Sequence, residues 1–277
     1  MISYTIERND FMKKIINIFC NDNDKSLKAF IKIKEILTKK DFMISEKFNK
    51  DAVLNICIGG DGSFIRGVHG TNFTKIPFVG VNTGTLGFYQ EISFENIEKF
   101  INDYIEENYT MEKIRLLECE MQTNDMNLSK KCLNEFVIRS NSSEIIHLDI
   151  FIDDNHLETF AGDGIIISTP SGSTAYNMSA GGSIMYPTVR GFQLTAVAPI
   201  FSKVYRSLSN SIIIPNTSSL KIIPLEKSYK KIAFTADGID HKYENISYFK
   251  FKKAYKKIYK LVFNKDWYWI NMKDKFL

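Results

Sequence analysis

Gly59-Gly60-Asp61-Gly62 sets one carboxylate among three glycines. An apolar run, 52–58, precedes it, and Ser63-Phe64-Ile65-Arg66-Gly67-Val68, which can begin a helix, follows. A strand, a glycine turn and a helix N-terminus together suit anionic oxygen. Glycine permits positive φ and close approach of a ligand, and the first turn of a helix presents unpaired N–H groups and partial positive charge. A carboxylate beside phosphate has two uses: holding Mg²⁺, or taking a proton from an attacking hydroxyl. The same four residues also read as a tight turn at a sheet edge with Asp61 as a helix cap.

Three later clusters share this polar, glycine-rich character. The stretch 161–177 places a short strand, Ile165–Ile167, between an acidic glycine turn, Gly162-Asp163-Gly164, and a loop with Ser171, Ser173 and Thr174 around Gly172. Small residues with accessible amides and hydroxyls can hydrogen-bond a base edge or a phosphate; a polar β-turn is the plainer alternative. Asn134-Glu135 interrupts the apolar run 132–139, and two polar side chains there cost free energy unless paired or used. Thr235-Ala236-Asp237-Gly238 reads as a turn, and Arg66 as an exposed helix arginine rather than another anion contact. The four histidines show no metal-ligand spacing, and no Ser-His-Asp or Cys-His arrangement is visible. Absence of a Walker lysine motif and of GxGxxG argues against a P-loop NTPase and a typical hydride-transfer enzyme.

These clusters need elements to hold them. Met12-Lys13-Lys14 followed by 15–20 reads as a first strand, with 1–11 as an extension from an upstream start. Leu27, Phe30, Ile31, Ile33, Ile36 and Leu37 recur at helical spacing. Strands are expected at 42–44, 52–58 and 76–81, the second apolar enough to be covered on both faces. Asn82–Phe88 forms a second glycine-bearing turn, and Ser93 is expected to cap a helix with Phe94, Ile97, Phe100, Ile101, Tyr104 and Ile105 on its apolar face. Alternating strands and helices imply an open, mainly parallel sheet, with ligands beyond the carboxyl ends of its strands. From Met111 to about Lys260 the texture becomes short strand-like runs, such as 114–121, 132–139, 145–152 and 231–235, which argues for an antiparallel β domain. The lysines of 248–260 fit one solvated strand face rather than a nucleic-acid surface. The apolar segment 266–270 should dock onto one of the domains.

The bulk properties bound the remaining classes. At 277 residues, with a 44% hydrophobic and 25% charged composition, the chain fits one or two globular domains. A net charge of +4 permits an anionic ligand without demanding nucleic acid. Four scattered cysteines, Cys20, Cys57, Cys119 and Cys132, suit reduced thiols and a cytoplasmic location. No apolar run approaches the ~20 residues of a membrane span.

Gly59–Gly62, Asn82–Phe88, Asn134-Glu135, Gly162–Tyr176 and Asp237-Gly238 follow one another in the order and approximate spacing of a family pattern. Over about residues 12 to 270 the chain resembles NAD kinases of the small bacterial type. GGDG is shared with diacylglycerol and sphingosine kinases and, in similar form, with phosphofructokinases; the GDG–STP–GSTAY block is specific. The resemblance implies an α/β fold class with an added β class: a Rossmann-like open-sheet domain, 1–110 rejoined by the tail 262–277, and a central β-sandwich-like, NAD-binding domain, 111–261. It implies transfer of the γ-phosphoryl of ATP, or of polyphosphate, to the 2′-hydroxyl of the adenosine ribose of NAD, giving NADP. Asp61 would then orient or deprotonate that hydroxyl, with Mg²⁺ held by its carboxylate. The backbone of Gly59, Gly60 and Gly62 would cradle phosphate. Asn134 and Glu135 would bind ribose hydroxyls and adenine, and Thr174, Ala175 and Tyr176, with Ser179 nearby, would line the adenine pocket. Asp163 would reach the nicotinamide end, Tyr205 would close that region across a subunit boundary, and Asp237 would lie near the acceptor ribose. Homodimers or homotetramers are implied, with no nucleic-acid or membrane partner. Two positions depart from the pattern. Ala161 stands where relatives often carry a basic residue, whose pyrophosphate contact Arg139 or Arg206 would supply, and Trp267-Tyr268-Trp269 replaces an arginine-rich tail. A lipid kinase of the GGDG superfamily and a non-catalytic NAD or NADP sensor are the alternatives; the former needs an apolar acceptor pocket, and the latter leaves Asp61 without a use.

Overall fold

Apolar strands and amphipathic helices alternate through the first third of the chain in the computed structural model, which describes residues 14–84, 87–124, 126–201, 206–225, 228, 232–243 and 245–277. Tyr205 and the extension 1–11 lie outside the described residues. The elements run β1 (Ile15–Cys20), α1 (Asp24–Lys39), β2 (Met43–Ser45), β3 (Leu54–Gly59), α2 (Asp61–Gly70), β4 (Phe78–Asn82) and α3 (Ile97–Ile105). There follow β5 (Thr110–Thr123), β6 (Asn127–Cys132), β7 (Glu135–Ser140), β8 (Ile146–Ile152), β9 (Asn155–Ser168), a 3₁₀ turn (Ser171–Thr174) and α4 (Tyr176–Ser179). The chain ends with β10 (Gly191–Pro199), β11 (Ile212–Pro215), β12 (Leu220–Pro224), β13 (Ile232–Ala236), β14 (Ile239–His241), β15 (Ile246–Val262) and α5 (Trp267–Phe276). Two compact units result: the described residues up to Lys113 with Ile258–Leu277, and Ile114–Lys257.

The first unit is built on parallel strands in the order β2-β1-β3-β4 with the end of β15 beside β4. Every residue of β3 is buried, which is why that run carries no polar alternation. Helix α1 begins at Asn23, whose side chain accepts the Ser26 amide at 3.0 Å, and buries Ala29, Ile33 and Leu37 against a core that includes Ile16, Ile56, Val79 and Phe100. Helix α3 starts later than the serine cap predicts. Ser93 closes a turn by accepting the Asn96 amide, and the helix begins at Ile97 without a side-chain cap. Phe94 and Ile105, expected on the apolar face, are exposed. The tail returns to this unit as helix α5, which sequence periodicity did not reveal. Phe88 packs against Tyr268 and Phe276, with ring centroids 5.9 and 6.0 Å apart.

The second unit is antiparallel throughout its described pairings, in the order β14-β13-β7-β9-β8-β12-β15, with β10 between β9 and β11. Its core is largely aliphatic around an aromatic cluster, in which Phe136 stacks on Phe234 at 5.4 Å and Phe234 meets Phe249 at 5.2 Å. Two expectations need correction. The apolar run 132–139 is not one strand; β6 ends at Cys132 and β7 starts at Glu135, with Leu133-Asn134 as a break between them. Gly162-Asp163-Gly164 is not a turn but the middle of the 14-residue β9. There β9 changes partners, from β8 along 155–162 to β7 along 164–168, with β10 along 162–168. A Cβ at Gly164 would stand 2.5 Å from the Ile138 carbonyl oxygen, and one at Gly162 would stand 2.7 Å from that of Ala198. The glycines are slim because neighbouring backbone crosses them, not because the chain reverses.

Candidate active site

Within the first unit the glycine turn joins β3 directly to α2. Gly59 has φ +147, and a Cβ there would overlap Ser63 and Asn21. Gly60 is the N-cap of α2, and its carbonyl accepts the Ser63 amide at 2.9 Å and the Gln90 side-chain amide at 2.7 Å. The first helical residue is Asp61, half-buried, with Gly62 exposed behind it. The Asp61 side chain does not cap its own helix, as the plain reading of GGDG had it. Its Oδ2 accepts the Phe88 amide and its Oδ1 the Tyr89 amide, both at 2.9 Å. The carboxylate is thus held by the second glycine turn, and a Cβ on Gly87 would overlap it. Thr85 and Leu86 of that turn lie outside the described residues.

Sequence reasoning missed what supports this turn. Asn271 of α5, fully buried, donates to the Gly87 carbonyl at 3.0 Å. Lys260, also buried, reaches the Phe88 carbonyl at 3.4 Å. Glu91 accepts the amides of Phe263, at 2.9 Å, and Asn264. Burial raises the Glu91 carboxyl above its ordinary range, against the Lys260 charge and those two amides. The tail therefore braces the segment that braces Asp61. Arg66 is exposed, as expected, and donates to Asn21 Oδ1 at 2.5 Å.

Within the second unit, Asn134 and Glu135 are both buried at the break between β6 and β7. Asp237 holds that break. It opens a two-residue Asp-Gly turn between β13 and β14, with φ +51 at Asp237 and +76 at Gly238, the left-handed pair a tight hairpin needs. Its Oδ2 accepts the Leu133 amide at 2.7 Å, and its Oδ1 accepts those of Asn134 at 2.6 Å and Glu135 at 3.2 Å. Its own amide donates to the Glu135 carbonyl at 2.9 Å. Burial, and then the Asp237 charge, push the Glu135 carboxyl up to about 8.

The hydroxyl-rich loop packs on the same break. The Thr169 amide donates to Asn134 O at 2.8 Å and its hydroxyl to Leu133 O at 2.7 Å. Gly172 crosses so close that a Cβ would overlap the Asn134 carbonyl. Thr174 and Ala175 are half-buried, and Tyr176 and Ser179 are exposed on α4. Behind them runs a buried polar network. Asn177 donates to the Ser173 and Ser183 carbonyls at 3.2 and 3.3 Å and accepts from Thr195 at 2.7 Å, while Gln193 exchanges two bonds with Ser183. Gln193 and Thr195 carry no signal of their own within the strand-like sequence of β10. Asp163 is exposed on β9, and Ala161 beside it is fully buried. Arg139 and Arg206 are exposed. Among the described residues no group of three or more His, Cys, Asp or Glu is placed to hold a metal ion.

Amides at a helix start, one tethered carboxylate, and a polar loop on rigid strands do little covalent chemistry. They suit phosphoryl transfer, which asks for positioning and charge neutralisation, the work of a phosphotransferase. Comparison with known proteins carries this further. The family model for the ATP-NAD kinase N-terminal domain matches residues 13–109, and that for the ATP-NAD kinase C-terminal domain matches 133–262. The NAD kinase of Finegoldia magna is 53% identical over 268 residues, 95% of this chain and 98% of that protein. The NAD kinase of Staphylococcus aureus is 31% identical over 86% of this chain and 89% of its own length. In fold, the chain is similar to yeast NADH kinase, solved with NADH, with a TM-score of 0.84, 22% identity and coverage of 95% and 87% of the two chains. It is also similar to an Archaeoglobus fulgidus NAD kinase solved with ATP, with a TM-score of 0.74, 20% identity and coverage of 96% and 97%. The chain belongs to the NAD kinase family.

Proposed function

We propose that the chain transfers the γ-phosphoryl of ATP to the 2′-hydroxyl of the adenosine ribose of NAD, giving NADP. The observation that carries this is the setting of Asp61: first residue of α2, beside the glycine turn, with both oxygens steered by the Phe88 and Tyr89 amides. A carboxylate so fixed can accept the proton of an attacking hydroxyl while the amides of Gly60 and Gly62 face phosphate oxygen. Asn134, Glu135, Thr174, Ala175, Tyr176, Ser179 and Asp163 are assigned to NAD, with Asp237 acting on it through the turn it holds. Tyr205 is assigned to NAD on the resemblance alone. Mg²⁺ fits as an ion carried on the triphosphate with Asp61 as its one protein carboxylate, since Mg²⁺ is commonly bound through one or two carboxylates and substrate phosphates. When bound it would neutralise phosphate charge. No helix is long and apolar enough to cross a membrane among the described residues; a cytoplasmic homodimer or homotetramer is part of the same reading.

Incubating the pure protein with NAD, Mg²⁺ and either ATP or polyphosphate, and measuring NADP, tests the proposal. NADP formation dependent on the donor is expected. NAD binding without turnover for any donor would leave the sensor alternative, and phosphorylation of a lipid alcohol but not of NAD would leave the other.

A further inference from the structure

Two carboxyls meet at the break between β6 and β7, and only one has the partners of an anion. Asp237 gathers three backbone amides, from Leu133, Asn134 and Glu135. The Glu135 side chain is 8% exposed, and its buried Oε2 has no hydrogen-bond partner. A buried charge on Glu135, beside the half-buried Asp237, would be uncompensated, and such a group neutralises instead. Among the described residues the neighbours do not offset it. On β6 the Cys132 thiol is itself pushed well up by burial and by the charges of Asp237 and Glu135. On β9 the residue opposite Glu135 is Ser168, whose hydroxyl donates to Thr169 O at 2.9 Å. From the β13–β14 turn the facing charge is Asp237.

We infer that Glu135 meets NAD as a neutral acid, donating its proton in a hydrogen bond to an acceptor of the dinucleotide, a ribose oxygen or an adenine ring nitrogen, rather than accepting from a ribose hydroxyl as a carboxylate. This deepens the proposed function and rests on the assignment of Asn134-Glu135 to NAD. Glu135 is a positioning and recognition residue, and the proton stays on it throughout.

The test compares the wild type with Glu135→Gln, a neutral donor of the same shape. NADP formation by the wild type at pH 7 establishes the reaction independently. At pH 7 Glu135→Gln, which keeps a neutral donor, should raise the KM for NAD by a few-fold, far less than Glu135→Ala does. With the Glu135 carboxyl at about 8, one molecule in about ten stays competent one pH unit higher, so the wild-type KM should rise about tenfold by pH 9. The KM of Glu135→Gln should stay flat. A tenfold or greater rise in KM for Glu135→Gln at pH 7, with a flat wild-type profile, would overturn the inference. An infrared difference spectrum of the unliganded proteins gives a readout that does not need turnover. A protonated-carboxyl C=O stretch at pH 7 is expected in the wild type and absent from Glu135→Gln; its absence from the wild type would also overturn the inference.

Discussion

Asp61 and Asp237 each precede a glycine, and each collects amides from a segment far away in sequence, yet the chain uses them differently. Asp61 takes two amides, those of Phe88 and Tyr89, and stays half-exposed at a helix start. Asp237 takes three, at a hairpin corner with left-handed backbone, and its contacts shape the break where Asn134 and Glu135 sit. Both carboxylates organise backbone. Both are half-buried; Asp61 ties the second glycine turn to the start of α2, whereas Asp237 holds the break between β6 and β7. The third Asp-Gly pair, Asp163-Gly164, does neither: it lies mid-strand where β9 changes partners. The dipeptide alone therefore says little; the backbone it is given to hold decides its work.

The largest effect should come from Asp61→Ala. Loss of a general base costs roughly 10²–10⁴-fold in turnover, and kcat for NADP formation should fall by at least that while NAD still binds by calorimetry. Unchanged turnover would remove Asp61 from the chemistry and make it a second Asp237. Gly87→Ala should come next. Its Cβ would push on the Asp61 carboxylate, and a misplacement of about 1 Å can cost on the order of 10²-fold. Steady-state kinetics should show the loss in kcat with the KM for NAD little changed. Asp237→Ala should reverse the pattern. Three amides lose their acceptor, and one buried donor left unpaired costs about 1–3 kcal/mol, so the denaturation midpoint should fall markedly and the KM for NAD rise. If Asp237→Ala instead kept its stability and lost kcat, the contrast between the two aspartates would fail.

Much of the architecture was legible because it rests on local pattern. The continuous apolarity of 52–58, the glycines after it and the helical spacing of 27–37 each point to one element, and the structure has β3 at Leu54–Gly59, the glycine turn after it and α1 at Asp24–Lys39. The two misread stretches fail for a common reason. At 162–164 and at 132–135 the decisive fact is which backbone lies across the chain: Ile138 and Ala198 at the glycines, the Asp237 turn at the break. Sequence neighbours carry no trace of that. The same holds for the brace on Asp61, since Asn271 and Lys260 lie more than 170 positions from the residues they touch. The motif residues could be named from the sequence; the residues that support them could not.

The smallest predicted effect tests whether that support matters. Thr195 is 4% exposed on β10 and donates to Asn177 Oδ1 at 2.7 Å. Asn177 in turn donates to the Ser173 and Ser183 carbonyls, at the two ends of the segment that carries Thr174, Ala175 and Tyr176. Thr195→Val keeps the shape and removes the donor, leaving a buried amide oxygen short of its partner. A loss of about 1 kcal/mol in unfolding free energy is expected, with kcat unchanged and a rise of a few-fold at most in the KM for NAD. The order of effects matters as much as their size. Thr195 lies behind the loop, so stability should register the change before binding does. A tenfold rise in KM without loss of stability would mean that β10 meets the dinucleotide directly, and the line drawn here between contact and support would have to move.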